Sequence, residues 1–272
     1  MRKKVKRIIC LIFCILLFQC VAIPIGVRFV TRRLLKTIED QDYEAFQRTL
    51  SYTVVLDGLP YSRVLCWTSE ASCRSPLQAA CQVGNYQMVE DLIEKGADVN
   101  WVDYFAPFSP LMCAVTSKTE SNIEIVRLLL EHNVDVNYRK EMYDANALYQ
   151  IMISNETIPN ASTMVDLLVE NGSDIYYNHK TYGSLLNVAC SHHNGEMILH
   201  LLKNYEFDPN STFDGDTALI YYCRGRFARA NAEDVKALLE YGADKSIVND
   251  EGKIAYDYAV ENGFEEIVEL LK

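Results

Sequence analysis

The sequence has little of what builds recognisable reaction centres. Its five histidines (His132, His179, His192, His193 and His200) form no HExxH pair, no glycine-rich loop shapes a phosphate cradle, and no serine or cysteine stands in a nucleophile elbow. The usual marks of metallopeptidases, P-loop enzymes and serine hydrolases are therefore missing, and no metal or other cofactor is called for. Glycine and proline are sparse, 12 and 7 in 272 residues, which excludes collagen-like and low-complexity chains. Acid is absent from residues 1–36, where nine Lys/Arg stand, so the body beyond holds 17 basic against 37 acidic residues, a formal charge of −20. A body that acidic repels phosphate backbones, and no nucleic-acid partner is expected.

What is present begins with an apolar run. Ile8 to Val27 reads IICLIFCILLFQCVAIPIGV, twenty uncharged residues in which only Gln19 is clearly polar. At 1.5 Å per residue that length matches a hydrocarbon core of ~30 Å, so the run is expected to cross a membrane once. Five Lys/Arg precede it and four follow between Arg28 and Lys36. The excess in front favours a cytoplasmic N-terminus and a body outside. The alternative is a cleaved signal peptide and a secreted body, with Cys20 and Ala22 as the small residues before a cut. Residues 1–30 are accordingly read as an anchor or signal segment.

The rest repeats. Aligned by their apolar runs, segments start at Ser75, Ser109, Asn146, Ser184, Thr217 and Ile254, with spacings of 34, 37, 38, 33 and 37 residues. Each has two stretches at helical period, the second apolar at i, i+3 and i+4, as in Val89, Leu92 and Ile93 or Val165, Leu168 and Val169. Gly96-Ala97-Asp98, Gly172-Ser173-Asp174 and Gly242-Ala243-Asp244 then end the second helix, and short extended hairpins are expected to link the units.

These units resemble ankyrin repeats, the nearest copy being Ser75-Pro76-Leu77 with Ala79-Ala80, Gly84-Asn85 and Gly96-Ala97-Asp98-Val99-Asn100. The resemblance implies an all-α solenoid of six units over residues 75–272. A divergent unit with an insertion occupies 31–74, where Leu34–Leu50 would place Ala45, Phe46 and Leu50 inward. The family's first-helix histidine is replaced throughout, by Gln78, Met112, Tyr149, Asn187, Ile220 and Asp257, so stability should lean on apolar stacking between neighbouring units.

The hairpin tips are rich in rings, which are enriched where interfaces draw their binding energy. Trp101, Tyr104 and Phe105, then Tyr138 and Tyr143, then Tyr177 and Tyr182 are the candidate partner-binding residues. With the concave face they suggest a membrane-tethered module that binds another protein. The alternative is a secreted inhibitor or immunity-type protein that neutralises a basic partner, for which the charge of −20 gives fast capture. A remote third reading is an enzyme with its site in the insertion at 52–74. Cys66 and Cys73, close together in that insertion, would pair in an exported body or remain two loop thiols.

Overall fold

The computed structural model describes residues 23–51, 75–102, 108–139, 144–154, 158–225 and 230–272. Two compact units divide the chain, Met1–Cys113 and Ala114–Lys272. The apolar run lies outside the described residues up to residue 22, and no helix among the described residues is long and apolar enough to cross a membrane.

In the first unit, α1 (Ile23–Glu39) starts within the apolar run and continues past residue 30, where the N-terminal segment was expected to end. Leu34, Thr37 and Ile38, at i, i+3 and i+4, turn one face of α1 inward. That face packs on α2 (Tyr43–Ser51) and α3 (Pro76–Val83), with Phe46 and Leu50 buried beside it and Ala45 half-buried. Ser75 caps α3: its hydroxyl accepts from Gln78 N at 3.1 Å, and Gln78 Oε1 accepts from Ser75 N at 2.7 Å. Pro76 begins the helix. The Gln78 amide also donates to Phe108 O, just before α5 (Pro110–Val115). The residue replacing the expected histidine thus still ties neighbouring repeats. Between them, α4 (Tyr86–Glu94) is tied to α2 through Asp91, which accepts from Tyr43 Oη at 2.9 Å and from Gln47.

The second unit is two rows of helices. The inner row comprises α7 (Ala147–Met152), α9 (Leu185–Ser191), α11 (Ala218–Arg224) and α13 (Ala255–Asn262), each packed on the next. The outer row is α6 (Asn122–Glu131), α8 (Ala161–Glu170), α10 (Gly195–Asn204), α12 (Ala232–Glu240) and α14 (Glu265–Leu271). Leu148, Ile151, Leu185, Val188, Met197, Leu201, Val235 and Leu238 fill the space between the rows.

Apolar stacking is not the only glue, because helix ends leave carbonyls without intrahelical partners. Asn194 donates to Ile151 O at 3.0 Å and Met152 O at 3.2 Å, and Asn262 donates to Cys223 O at 2.8 Å. Asn137 and Asn210 each bridge to the following unit: their amides donate to Gly172 O and Gly242 O at 2.8 Å, and they accept from Asp174 N and Asp244 N. Short hairpins were expected between the repeats. Among the described residues they carry only single bridges, His179 to Gly183 and Phe213 to Asp216.

Candidate partner-binding face

The hairpins and the inner-row helices of the second unit bring a set of rings together. Tyr149 on α7 stacks on His179 with centroids 4.5 Å apart, and His179 lies 5.4 Å from Tyr182. Tyr182 in turn meets His192 at 5.6 Å and Tyr221 of α11 at 6.0 Å, both edge-on. Tyr149, Tyr182 and Tyr221 are half-buried, so each keeps part of its ring on the surface. Burial pushes the Tyr149 and Tyr221 phenols up to about 12, with Asp216 and Asp214 adding to the effect at Tyr221. These two hydroxyls are therefore neutral at physiological pH, and that of Tyr221 donates to Phe213 O at 3.3 Å.

Beside Tyr182 and Tyr221 a groove of about 780 Å³ opens, lined also by Ser191, Asp214, Arg224 and Tyr258. Arg224 donates to Asp216 Oδ2 at 2.6 Å and Glu251 Oε1 at 2.9 Å, and its guanidinium lies 5.6 Å from the Tyr258 ring centroid. Arg224 therefore faces this chain's own carboxylates. Lys253 is held by Glu261 at 2.6 Å. Asn249 donates to Asp216 Oδ1 at 2.7 Å and Tyr258 Oη at 2.9 Å, anchoring the floor.

Of the rings nominated from sequence, Tyr182 enters this face. Tyr177 does not: it is only 8% exposed, its hydroxyl donates to Asp144 O at 3.3 Å, and Arg139 covers its ring at 5.8 Å. Its neighbour Tyr176, 51% exposed, lies on the surface against Phe207. Trp101 and Tyr138 are half-buried. Tyr104, Phe105, Tyr143, Cys66, Cys73 and the insertion at 52–74 lie outside the described residues. The sequence reading missed Tyr149, Tyr221 and Tyr258 because it searched hairpins for rings. The available signal was a tyrosine recurring in the middle of three first helices.

The histidines do structural work. His192 Nδ1 donates to Val188 O at 3.0 Å, and His193 Nε2 donates to Tyr222 O at 2.9 Å. Burial holds both imidazoles below their usual range. The unfolded chain then binds more protons, so their contribution is complete above pH ~6.5 and is lost as pH falls from there through the lowered folded values. The melting temperature of the full chain should be lower at pH 5 than at pH 7, and the drop should shrink in His192→Gln/His193→Gln. A drop of unchanged size would assign it to other groups. Cys81, Cys113, Cys190 and Cys223 are buried, and burial pushes the thiols of Cys81 and Cys190 well above their usual range.

Comparison with known proteins places this architecture. The family described as ankyrin repeats (3 copies) matches residues 59–140, 77–181, 151–247 and 185–272. A protein of Acanthamoeba polyphaga mimivirus named for its ankyrin repeats is 29% identical over 186 residues, which is 66% of this chain and 31% of that protein. A second from the same virus is 33% identical over 69 residues, 25% of this chain and 43% of its own length. The matches to these curated relatives thus span less than half of either one. Among solved structures, the crystal structure of the human ASB11 ankyrin repeat domain aligns with a TM-score of 0.66 at 23% identity, over 88% of this chain and 97% of that one. A chain from the structure of the Bd0816 predatory endopeptidase of Bdellovibrio bacteriovorus in complex with immunity protein Bd3460 aligns with a TM-score of 0.56 at 24% identity, over 72% and 95%. At these identities the likeness shows the fold, an all-α repeat solenoid.

Proposed function

This chain belongs to the ankyrin-repeat family, and on that premise we propose that it binds another protein through the inner helices and hairpins of residues 144–262. The observation that carries the reading is the run of contacts from Tyr149 through His179 and Tyr182 to Tyr221, across three successive repeats, of which Tyr182 and Tyr221 line the groove. Rings held against one another lose little freedom when a partner covers them, so such a surface is suited to recognition. The reading is one of binding rather than turnover: Arg224, Lys253 and Asn249 of the groove are engaged with this chain's own Asp216, Glu251 and Glu261.

A photo-crosslinking residue placed at Tyr221 in the full chain should capture the partner, and the same residue at Tyr241 on the outer side should not. Equal capture at both positions, or at neither, would overturn the assignment of the face. The apolar run Ile8–Val27 supports a tether that holds the body outside the cytoplasm. Protease treatment of intact cells, with sequencing of the mature N-terminus, tests it. A shielded body would reverse the orientation, and a new N-terminus at Ile23 would replace the tether by a signal peptide.

A further inference from the structure

The groove already holds one guanidinium, and part of its setting recurs one repeat earlier without the cation. Arg224 stands seven residues after the cap residue Thr217 of its own first helix. Its guanidinium lies over Tyr258, four residues after the next cap residue, Ile254, and bonds Glu251, three before that residue. Shifted back by one repeat, Tyr221 and Asp214 hold the places of Tyr258 and Glu251 around Thr217, and Ser191, seven residues after Ser184, holds the place of Arg224. All three of these residues line the groove. The ring and the outer carboxylate are present there, Gly183 stands where Asp216 stands one repeat later, and the arginine is absent.

The charges agree with that vacancy. The lining holds Asp214, Asp216, Asp250, Glu251 and Glu261 against Arg224 and Lys253. Asp216 and Glu251 are satisfied by Arg224, and Glu261 by Lys253. Asp214 and Asp250 have no ion pair among the described residues. Asp250 lies against the turn that carries Asp214: a Cβ on Gly215, the residue after Asp214, would come within 2.7 Å of Asp250 Cγ. Asp214 and Gly215 form a tight hairpin turn, with φ of 50° and 78°, that sets the backbone of Asp214 at the groove.

Resting on the reading of this face as protein-binding, we propose that the groove takes an arginine-bearing segment of a partner protein, one guanidinium stacking on Tyr221 beside Asp214 and Asp250. Arginine fits better than lysine because its planar fork can bond two carboxylates while lying at a ring, as Arg224 does with Asp216 and Glu251 beside Tyr258, whereas Lys253, 5.0 Å from that ring, pairs with Glu261. The formal charge of −20 on the body would speed the approach of such a segment.

The probe is a fluorescein-labelled peptide of alternating Arg, Gly and Ser, titrated into the full chain and read by anisotropy. A citrulline version keeps the shape without the charge. The arginine peptide should bind, should weaken as salt is raised, and should bind at least ~tenfold more tightly than the citrulline peptide. Asp214→Asn/Asp250→Asn should weaken it by a similar factor, and Ser191→Arg, which supplies the guanidinium from within, should block it in protein whose circular dichroism is unchanged. Glu240→Gln on the outer row should have no effect. Equal binding of the citrulline peptide, or unchanged affinity in the folded aspartate variant, would overturn the proposal. If the captured protein partner is lost with Tyr221→Ala but kept by the aspartate variant and by Ser191→Arg, the face binds without a guanidinium. If all of these variants keep it, the face itself is wrong.

Discussion

Tyr222→Ala should destabilise the second unit by about 4 kcal/mol, the size expected when a fully buried ring is removed. Tyr222 is 0% exposed and contacts His193 edge-on at 4.5 Å. Its hydroxyl accepts from Asn231 N at 2.7 Å and donates to Asp234 Oδ2 at 2.8 Å, so truncation leaves a cavity and strips two polar groups of a partner. Tyr222→Phe keeps the volume and should cost only about 1–2 kcal/mol. Urea denaturation of both variants separates the contributions, and equal losses would show that the hydroxyl, not the packing, dominates. Because stability in repeat arrays is a sum over neighbours, hydrogen exchange should quicken in α9 to α13 first.

Gly183→Ala should cost about 3 kcal/mol, from a left-handed backbone and a forced contact together. Gly183 has φ of 70°, and a Cβ there would come within 2.7 Å of both Cβ and Cγ of Phe213, atoms near the backbone that cannot swing aside. The residue also exchanges both backbone hydrogen bonds with His179, at 2.7 and 2.8 Å, so it cannot retreat without opening the hairpin that presents Tyr182. Denaturation midpoints would show the loss. A midpoint within error of the unchanged chain would mean that the hairpin can shift away from Phe213.

The repeats were legible because local rules suffice for them. Ser75, Ser184 and Thr217 cap helices where the segments were aligned, and each of the six segments supplies a helix pair. The site was less legible. From Ile175 to His179, a stretch that begins in a turn, buried and exposed residues alternate, so Tyr177 lies inward and Tyr176 outward. Applying that period of two to the hairpins would have reversed the choice. The asparagine bridges were out of reach for a different reason. Asn194 and Asn262 reach carbonyls 43 and 39 residues away, and a polar residue in a turn gives no local sign of so distant a partner. The groove depends on such distances too, because Tyr182, Tyr221 and Tyr258 converge only once the repeats are stacked.

The measurement that bears most directly on the binding face is affinity and melting temperature on the same full-chain variants, using the captured partner. Tyr182→Ala and Tyr221→Ala should each weaken binding by about 2 kcal/mol or more while the protein remains folded at the assay temperature. Tyr177→Ala should lower the melting temperature and leave the affinity of the folded protein unchanged. Full affinity retained by folded Tyr182→Ala/Tyr221→Ala would contradict the account.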